Sequence, residues 1–572
     1  MENQKMENLL NLALAAGRQD LEQSESLRTG YDPQQRTWEV IVKYTGSLDP
    51  LREQGIGVYE LLHQFAVLTV PEALVEWMSL LPQIEYVEKP KRLLFAADQA
   101  RAASCIDLVQ TEERGGGPYL TGRGVICAVI DSGIDYFHDD FRNPDGTTRI
   151  LELWDQSMDR VFTREEIDWA LEAGSRTAAR ERVPSADGSG HGTAAAGLMA
   201  GNGRESGGRY RGPAFESDLL VVKMGTADPL GFPRTTELMK GLDYAARFAA
   251  GRQQPLAVNI SFGNTYGSHS GTGLLGAYID SVSRFGRSSI VIGTGNEGAA
   301  AGHAAGVLKD REEKRELSVS PYETSLSVQL WKRYGDEFQI RLTAPSGRVL
   351  GPLPPVPGPQ VLESGNTRIL LYYGEPGPFS SAQEIYFEFL PARGAYLDSG
   401  LWTFSLTPEH ILDGRFDFWL PAASGLNRST GFLKPSPELT LTVPSDTALA
   451  VSVGAYDSRR RTYADFSGRG FTRLTGQIKP DLAAPGVGLT APKSGGGYET
   501  VTGTSFASPI AAGAAALLMQ WGIVDGNDPF LYGEKVRAYL IRGARRLPGF
   551  DRWPNPQMGW GALCLRDSLP LP

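Results

Sequence analysis

The chain has 572 residues, with 56 Lys+Arg against 66 Asp+Glu and a net charge of −10; at roughly 150 residues per domain this length suits three to four domains. Its 41% hydrophobic and 21% charged residues exclude a solvated disordered chain, and a pI near 5.4 argues against a nucleic-acid binder, which needs clustered Lys/Arg. Three cysteines (Cys105, Cys127, Cys564) exclude a disulfide framework and a cysteine-based zinc ribbon, so packing is expected to hold the fold together. The 67 glycines point to many tight turns or close backbone approaches.

In chain order, Leu9 to Ala16 (LLNLALAA) reads as a short helix. Glu2 and Glu7 offset Lys5 and no small-x-small cleavage site follows, which disfavours a secretory signal. Trp38–Tyr44 and part of Val58–Val70 are strand-like, Pro71 opens a helical pattern (PEALVEWMSLL), and Ile84–Val87 returns as a strand. This makes a small α+β unit, followed by an Ala-rich connector over Ala96–Ser104. From Gly124 apolar strands appear at Val125–Ile130, Leu219–Lys223, Ala257–Ser261, Ser289–Gly293 and Ala448–Val453. Helical patterns such as Thr235–Ala250 and Leu274–Phe285 lie between them, which predicts a parallel sheet covered on both faces. Between about 308 and 445 short strands separated by Pro/Gly turns replace the helices, the pattern of an inserted β-sandwich or jelly roll. The longest apolar run, Pro509 to Trp521, is too short to span a bilayer and reads as a buried helix.

Three segments place a catalytic residue type among small residues. Asp131 ends an apolar strand in VIDSGID, where the crevice of a parallel sheet opens. His191 stands between glycines in DGSGHGT at the start of an Ala-rich helix, and Ser505 opens another in GTSFASP, at the positive end of the helix dipole. Each alone has a bland reading: a turn Asp, a structural His, an N-cap Ser. Together they follow the Asp, His, Ser chain order of subtilisin, which differs from those of chymotrypsin and the α/β-hydrolases.

On VIDSGID, GSGHGT and GTSFASP the sequence resembles the subtilisin-like serine peptidases (subtilases), over about 105–307 and 446–565. The resemblance implies an α/β fold: a subtilisin-like parallel sheet with helices on both faces, an N-terminal α+β propeptide and an inserted all-β jelly-roll domain. The implied domains are 1–99 (propeptide), 100–307 and 446–572 (a split catalytic domain) and 308–445 (the insertion). It also implies a catalytic triad of Asp131, His191 and Ser505. Asn296, in GTGNEG, would be the side-chain donor of the oxyanion hole. Substrate would bind along Ser261, Phe262 and Gly263 and beside Gly293, Thr294 and Gly295. His138, seven residues past Asp131, resembles a position that subtilases commonly fill with a non-catalytic histidine. No cofactor is expected; structural Ca²⁺ is common in subtilases, but no ligands for it are assigned here. The tail of the propeptide would pass through the active site and be cut once within Leu93–Ala103, with Gln99 and Ala100 flanking the bond.

The long segment Arg149–Val183, the β insertion and the propeptide resemble the Csp germination proteases of spore-forming Clostridia. The partner implied is a protein substrate, a zymogen hydrolase of the spore cortex, with the chain's own propeptide retained. No nucleic acid and no membrane span are expected, and the location implied is intracellular or spore-associated. Two rivals stand beside this reading: a catalytically silent signalling module that has kept its triad, and a general intracellular degradative subtilase.

Overall fold

The computed structural model describes residues 4–91, 94–95, 103–110, 119–225 and 233–570. Its centre is a nine-stranded sheet. Ile126–Asp131 lies in the middle, flanked in parallel by Asp218–Lys223 on one side and Leu256–Ile260 on the other. Ile150–Asp155 extends the first side, and Ser288–Gly293, Val451–Asp457 and Leu482–Pro485 extend the second, all in parallel. Antiparallel edge strands close both ends, Arg160–Thr163 against Ile150–Asp155 and Thr462–Tyr463 against Val451–Asp457.

All six side chains of Ile126–Asp131 are buried, because both faces are covered. Cys127 and Val129 pack with the helices His191–Ala200 and Thr504–Met519 on one face. Ile126, Ala128 and Ile130 pack with Thr235–Arg252 and Leu274–Ser283 on the other. Cys127 behaves as a small core residue, its thiol pushed up to about 12 by burial. Among the described residues a single helical stretch, Thr504–Val524, is apolar and long enough to cross a membrane, and 83% of its most apolar window is buried inside the fold.

The N-terminal unit is an antiparallel sheet in which Thr37–Tyr44 pairs with both Phe65–Pro71 and Ile84–Glu88. Helix Asn8–Ala15 buries Leu9, Leu10, Leu12 and Ala13, where the sequence pattern had put a short helix. This unit has two neighbours. Ile41, Phe65 and Val67 join the core formed with Leu242 and Tyr278 of the two outer helices. Trp38, Val42 and Leu68 share a second core with Leu370, Tyr372 and Tyr386 of the inserted sheets.

The insertion consists of a six-stranded and a five-stranded antiparallel sheet around a common aromatic-rich core that includes Phe387, Trp402, Phe404 and Phe418. It begins earlier than the expected 308: His303–Val307 pairs with Arg415–Trp419 and belongs to the six-stranded sheet. The Ala/Gly-rich run there lacks the branched and aromatic residues that advertise a strand.

One covalent tie adds to a fold held mainly by packing. Cys105 and Cys564 form a disulfide with Cα atoms 4.8 Å apart across 459 residues of sequence. Spacing along a chain carries no information about such a contact. The topology creates it, by returning the C-terminal segment to the start of the catalytic part, where Leu565 N–H also donates to Ser104 O.

Candidate active site

Asp131, the last residue of the central strand, is fully buried at the carboxyl end of the sheet. Its Oδ1 lies 2.7 Å from His191 Nδ1 and accepts the Ser132 N–H at 2.7 Å. The second oxygen is buried and has no hydrogen-bond partner among the described residues. A carboxylate at Nδ1 holds the proton on that nitrogen, which leaves Nε2 as the basic atom of the ring.

His191 opens the helix His191–Ala200, and Asp187 caps that helix. Through Oδ1 Asp187 accepts from Gly190 N–H and Ser132 Oγ, and through Oδ2 from Thr193 N–H and Oγ1, all within 2.7–2.9 Å. A carboxylate here satisfies orphan N–H groups and complements the helix dipole. Ser132 Oγ also accepts from Gly192 N–H at 2.9 Å, so the Asp131 and His191 loops are laced together. They touch so closely that a Cβ at Gly192 would lie 2.2 Å from Gly133 O.

Ser505 is the second residue of helix Thr504–Met519, and the ring of its neighbour Phe506 lies 4.9 Å from that of His191. Here a proline inside a helix does local work. Pro509 has no N–H to donate to the carbonyl four residues back, that of Ser505. Ser261 Oγ donates to this carbonyl instead at 2.7 Å, and Ser505 Oγ returns a bond to Ser261 O at 3.1 Å. Asn259 Nδ2 in turn donates to Ser261 Oγ at 2.8 Å.

Asn296 Oδ1 accepts from both the N–H and the Oγ1 of Thr504, at 3.1 and 3.2 Å. With the oxygen committed there, the amide NH₂ is the free half of the side chain. A pocket of about 180 Å³ adjoins Ser505, and Ser261, Phe262, Gly263, Gly293, Gly295 and Asn296 line it. Thr294 does not: it is fully buried, with Oγ1 3.3 Å from Ser467 Oγ. Gly295 has φ +82°, and a Cβ there would lie 2.3 Å from the Thr442 side chain.

Sequence reasoning missed four features of this region. Asp187 sits inside the quoted DGSGHGT motif, yet its capping role shows only once the helix start is known. Ala422 and Ala423 reach the pocket from the end of the insertion, and Thr442 follows them. Glu297 lines the same pocket; burial raises its pKa, opposed by the Ala423 N–H that donates to Oε2 at 3.1 Å.

A fragment of the N-terminal segment lies against this cleft. Leu94–Phe95 pairs antiparallel with Phe262–Gly263, Phe95 opposite Phe262 and Leu94 opposite Gly263. Gln99 and Ala100 lie outside the described residues. His138 is far from this chemistry in role: it is fully buried, its Nδ1 accepts the Asp140 N–H, and Nε2 lies 3.0 Å from both Gly497 O and Glu205 Oε2. Among the described residues no group of three or more His, Cys, Asp or Glu is placed to hold a metal ion.

Residues 122–374 and 420–561 match the subtilase family, and residues 4–91 match the Csp protease B prodomain. The chain belongs to the subtilase family of serine peptidases and carries a Csp-type prodomain. Among solved structures it is similar to the CspB protease of Clostridium perfringens, with a TM-score of 0.76 and 35% identity, covering 82% of this chain and 95% of that one. Among curated proteins it is 32% identical over 154 residues to the serine protease AprX of Bacillus subtilis, spanning 23% of this chain and 32% of AprX. The minor extracellular protease Vpr of the same species is 23% identical over 467 residues, spanning 78% of this chain and 52% of Vpr. The chain therefore spans about half or less of the length of these curated relatives.

Proposed function

We propose that the protein is an active serine endopeptidase in which Asp131, His191 and Ser505 form the triad and Asn296 donates to the oxyanion. A serine hydroxyl is a weak nucleophile at neutral pH, so a base must take its proton as it attacks the scissile carbonyl. His191 Nε2 is that base, and Asp131 fixes its tautomer and stabilises the imidazolium. The Asn296 amide and the Ser505 backbone N–H, at the N-terminal turn of its helix, receive the developing negative charge. The proton on His191 then passes to the leaving amine, and water repeats the sequence on the acyl-enzyme. No cofactor takes part.

The observation that carries this reading is the 2.7 Å contact between His191 Nδ1 and Asp131 Oδ1, beside a pocket shared by Ser505 and Asn296. In the fuller proposal the enzyme first cuts its own propeptide within Leu93–Ala103. The pairing of Leu94–Phe95 with Phe262–Gly263, where a substrate backbone would lie, supports this. It then activates a zymogen hydrolase of the spore cortex by limited proteolysis during germination. The Csp-type prodomain and the likeness to CspB support that role, with a location inside the cell or spore.

One observation favours a silent signalling module instead: the prodomain shares cores with both other units, which suits a chain that keeps its cleft filled. A fluorophosphonate probe separates the two. Labelling of the wild type but not of Ser505→Ala supports the peptidase; no labelling of folded, processed wild type supports the silent module.

A further inference from the structure

A second cavity, away from Ser505, opens where all three units of the chain meet. It measures about 130 Å³, close to the ~150 Å³ engineered cavity that takes up benzene, which limits any occupant to a small molecule. Unlike that apolar cavity, this one is lined with charge and hydrogen-bonding capacity that the protein does not use.

Glu7, Glu88 and Lys91 form one compensated cluster in its wall, with Lys91 bridging the two carboxylates. Two further acids have no such partner. Glu384, on the inserted sheet, receives among the described residues only a long hydrogen bond from Asn8 Nδ2, at 3.4 Å. Asp446, from the catalytic part, accepts the Gly271 N–H through Oδ2, while Oδ1 is buried and has no hydrogen-bond partner among the described residues. Among the described residues neither stands in ion-pair contact with a lysine or arginine. Burial pushes the Glu384 carboxyl up to about 8, with Glu7 nearby adding to the shift, and burial pushes Asp446 up to about 6.

Two donors are idle in the same wall. Among the described residues Trp331 Nε1 and Asn264 Nδ2 find no acceptor, and the side chains of these residues are at least nine-tenths buried. The Asn264 amide is oriented by its Oδ1, which accepts the Tyr266 N–H at 2.9 Å. Buried polar groups left unpaired cost free energy that a matching ligand recovers. The remaining wall includes Tyr86, Tyr372 and Phe379, aromatic surface that suits a cation or an apolar body.

From this set of groups we propose that the cavity is a binding site for a small organic ammonium compound that carries a neutral acceptor oxygen. The ammonium goes to Glu384 and Asp446, the oxygen to Trp331 Nε1 and Asn264 Nδ2, and the carbon body to the aromatic wall. The site is separate from the peptidase chemistry and does not depend on that reading. Its walls come from the prodomain, the catalytic part and the insertion together, so an occupant stabilises their association.

The test uses the full-length Ser505→Ala chain and isothermal titration calorimetry, with L-leucinamide as probe and 4-methylpentanamide, which lacks only the ammonium, as control. Saturable binding of leucinamide, absent for the control, is expected. Glu384→Gln and Asp446→Asn should each weaken it about 10- to 100-fold, the size of a lost charge-assisted hydrogen bond. Trp331→Phe keeps the ring and removes one donor, so it carries the test if an acid variant fails to fold, and it should weaken binding several-fold. The proposal is overturned if leucinamide gives no saturable heat at millimolar concentration, if the neutral amide binds equally well, or if the folded variants bind like the parent. A cavity filled by water alone gives the first of these results.

Discussion

Ser261 illustrates how much a single side chain can settle at the residue scale. Its hydroxyl fills the gap that Pro509 leaves at the Ser505 carbonyl, and its own carbonyl holds the Ser505 hydroxyl. Ser261→Ala should leave that buried carbonyl unpaired at a cost of about 1–3 kcal/mol, read as a lower denaturant midpoint, while the Ser261 backbone carbonyl that holds the Ser505 hydroxyl is kept. Asn296→Ala removes the proposed side-chain oxyanion donor, for which a kcat loss of about 10²- to 10³-fold is typical. A change in KM with kcat intact would contradict that role. Gly192→Ala should be far more damaging than an ordinary helix substitution, since the new Cβ meets the Gly133 carbonyl at 2.2 Å. Circular dichroism and peptidase assay together separate loss of fold from loss of activity. Asp131, His191 and Ser505, the residues proposed as the triad, stood out in the sequence because small, unusual neighbours surround them. Asp187 was not, because a capping carboxylate is recognised only by the N–H groups it collects.

At the scale of elements, legibility followed hydrophobic continuity. The buried parallel strands read as unbroken apolar runs, and the observed Asp218–Lys223, Leu256–Ile260 and Ser288–Gly293 fall within a residue of expectation. The segment between Asp131 and His191 was seen only as an excess of length. It supplies the strand Ile150–Asp155, an antiparallel partner and two short helices, whose mixed sequences (RVFT, REEIDWAL, RTAARER) lack a long apolar run. In the insertion, short strands between Pro/Gly turns were expected, and Leu326–Arg333 and Glu337–Thr343 are two of them, while His303–Val307 and Gly358–Ser364 went unnoticed because Ala, Gly and Pro hide a strand. The disulfide is the element-scale surprise. It ties Cys105, just after the prodomain connector, to Cys564 near the last helix. Closing so long a loop should stabilise the folded chain, typically by about 2–4 kcal/mol. Cys105→Ser should lower the urea midpoint by the corresponding amount and make it insensitive to reductant; a midpoint equal to that of the oxidised wild type would contradict a structural role.

For the whole molecule, the prodomain packs against both other units, sharing one core with the catalytic helices and another with the insertion. Glu384 and Asp446 at the three-way junction make that assembly sensitive to pH. Both carboxyls titrate higher when folded than when unfolded, so the folded state binds more protons between the two values. Their contribution to stability is full below about pH 4, the ordinary carboxylate range. It is lost as pH rises through about 6 for Asp446 and about 8 for Glu384. Thermal melts across this range should show stability from these groups falling with pH, and Glu384→Gln should flatten the upper part of the slope. The central claim is that the triad works and that its first substrate is the chain's own prodomain. Intact-mass spectrometry of purified wild type beside Ser505→Ala tests it most directly. The account predicts two fragments from the wild type, cut once within Leu93–Ala103 and still copurifying, and a single uncut chain from the variant. An uncut wild type that is fully active on peptides, or an equally cut Ser505→Ala, would contradict it.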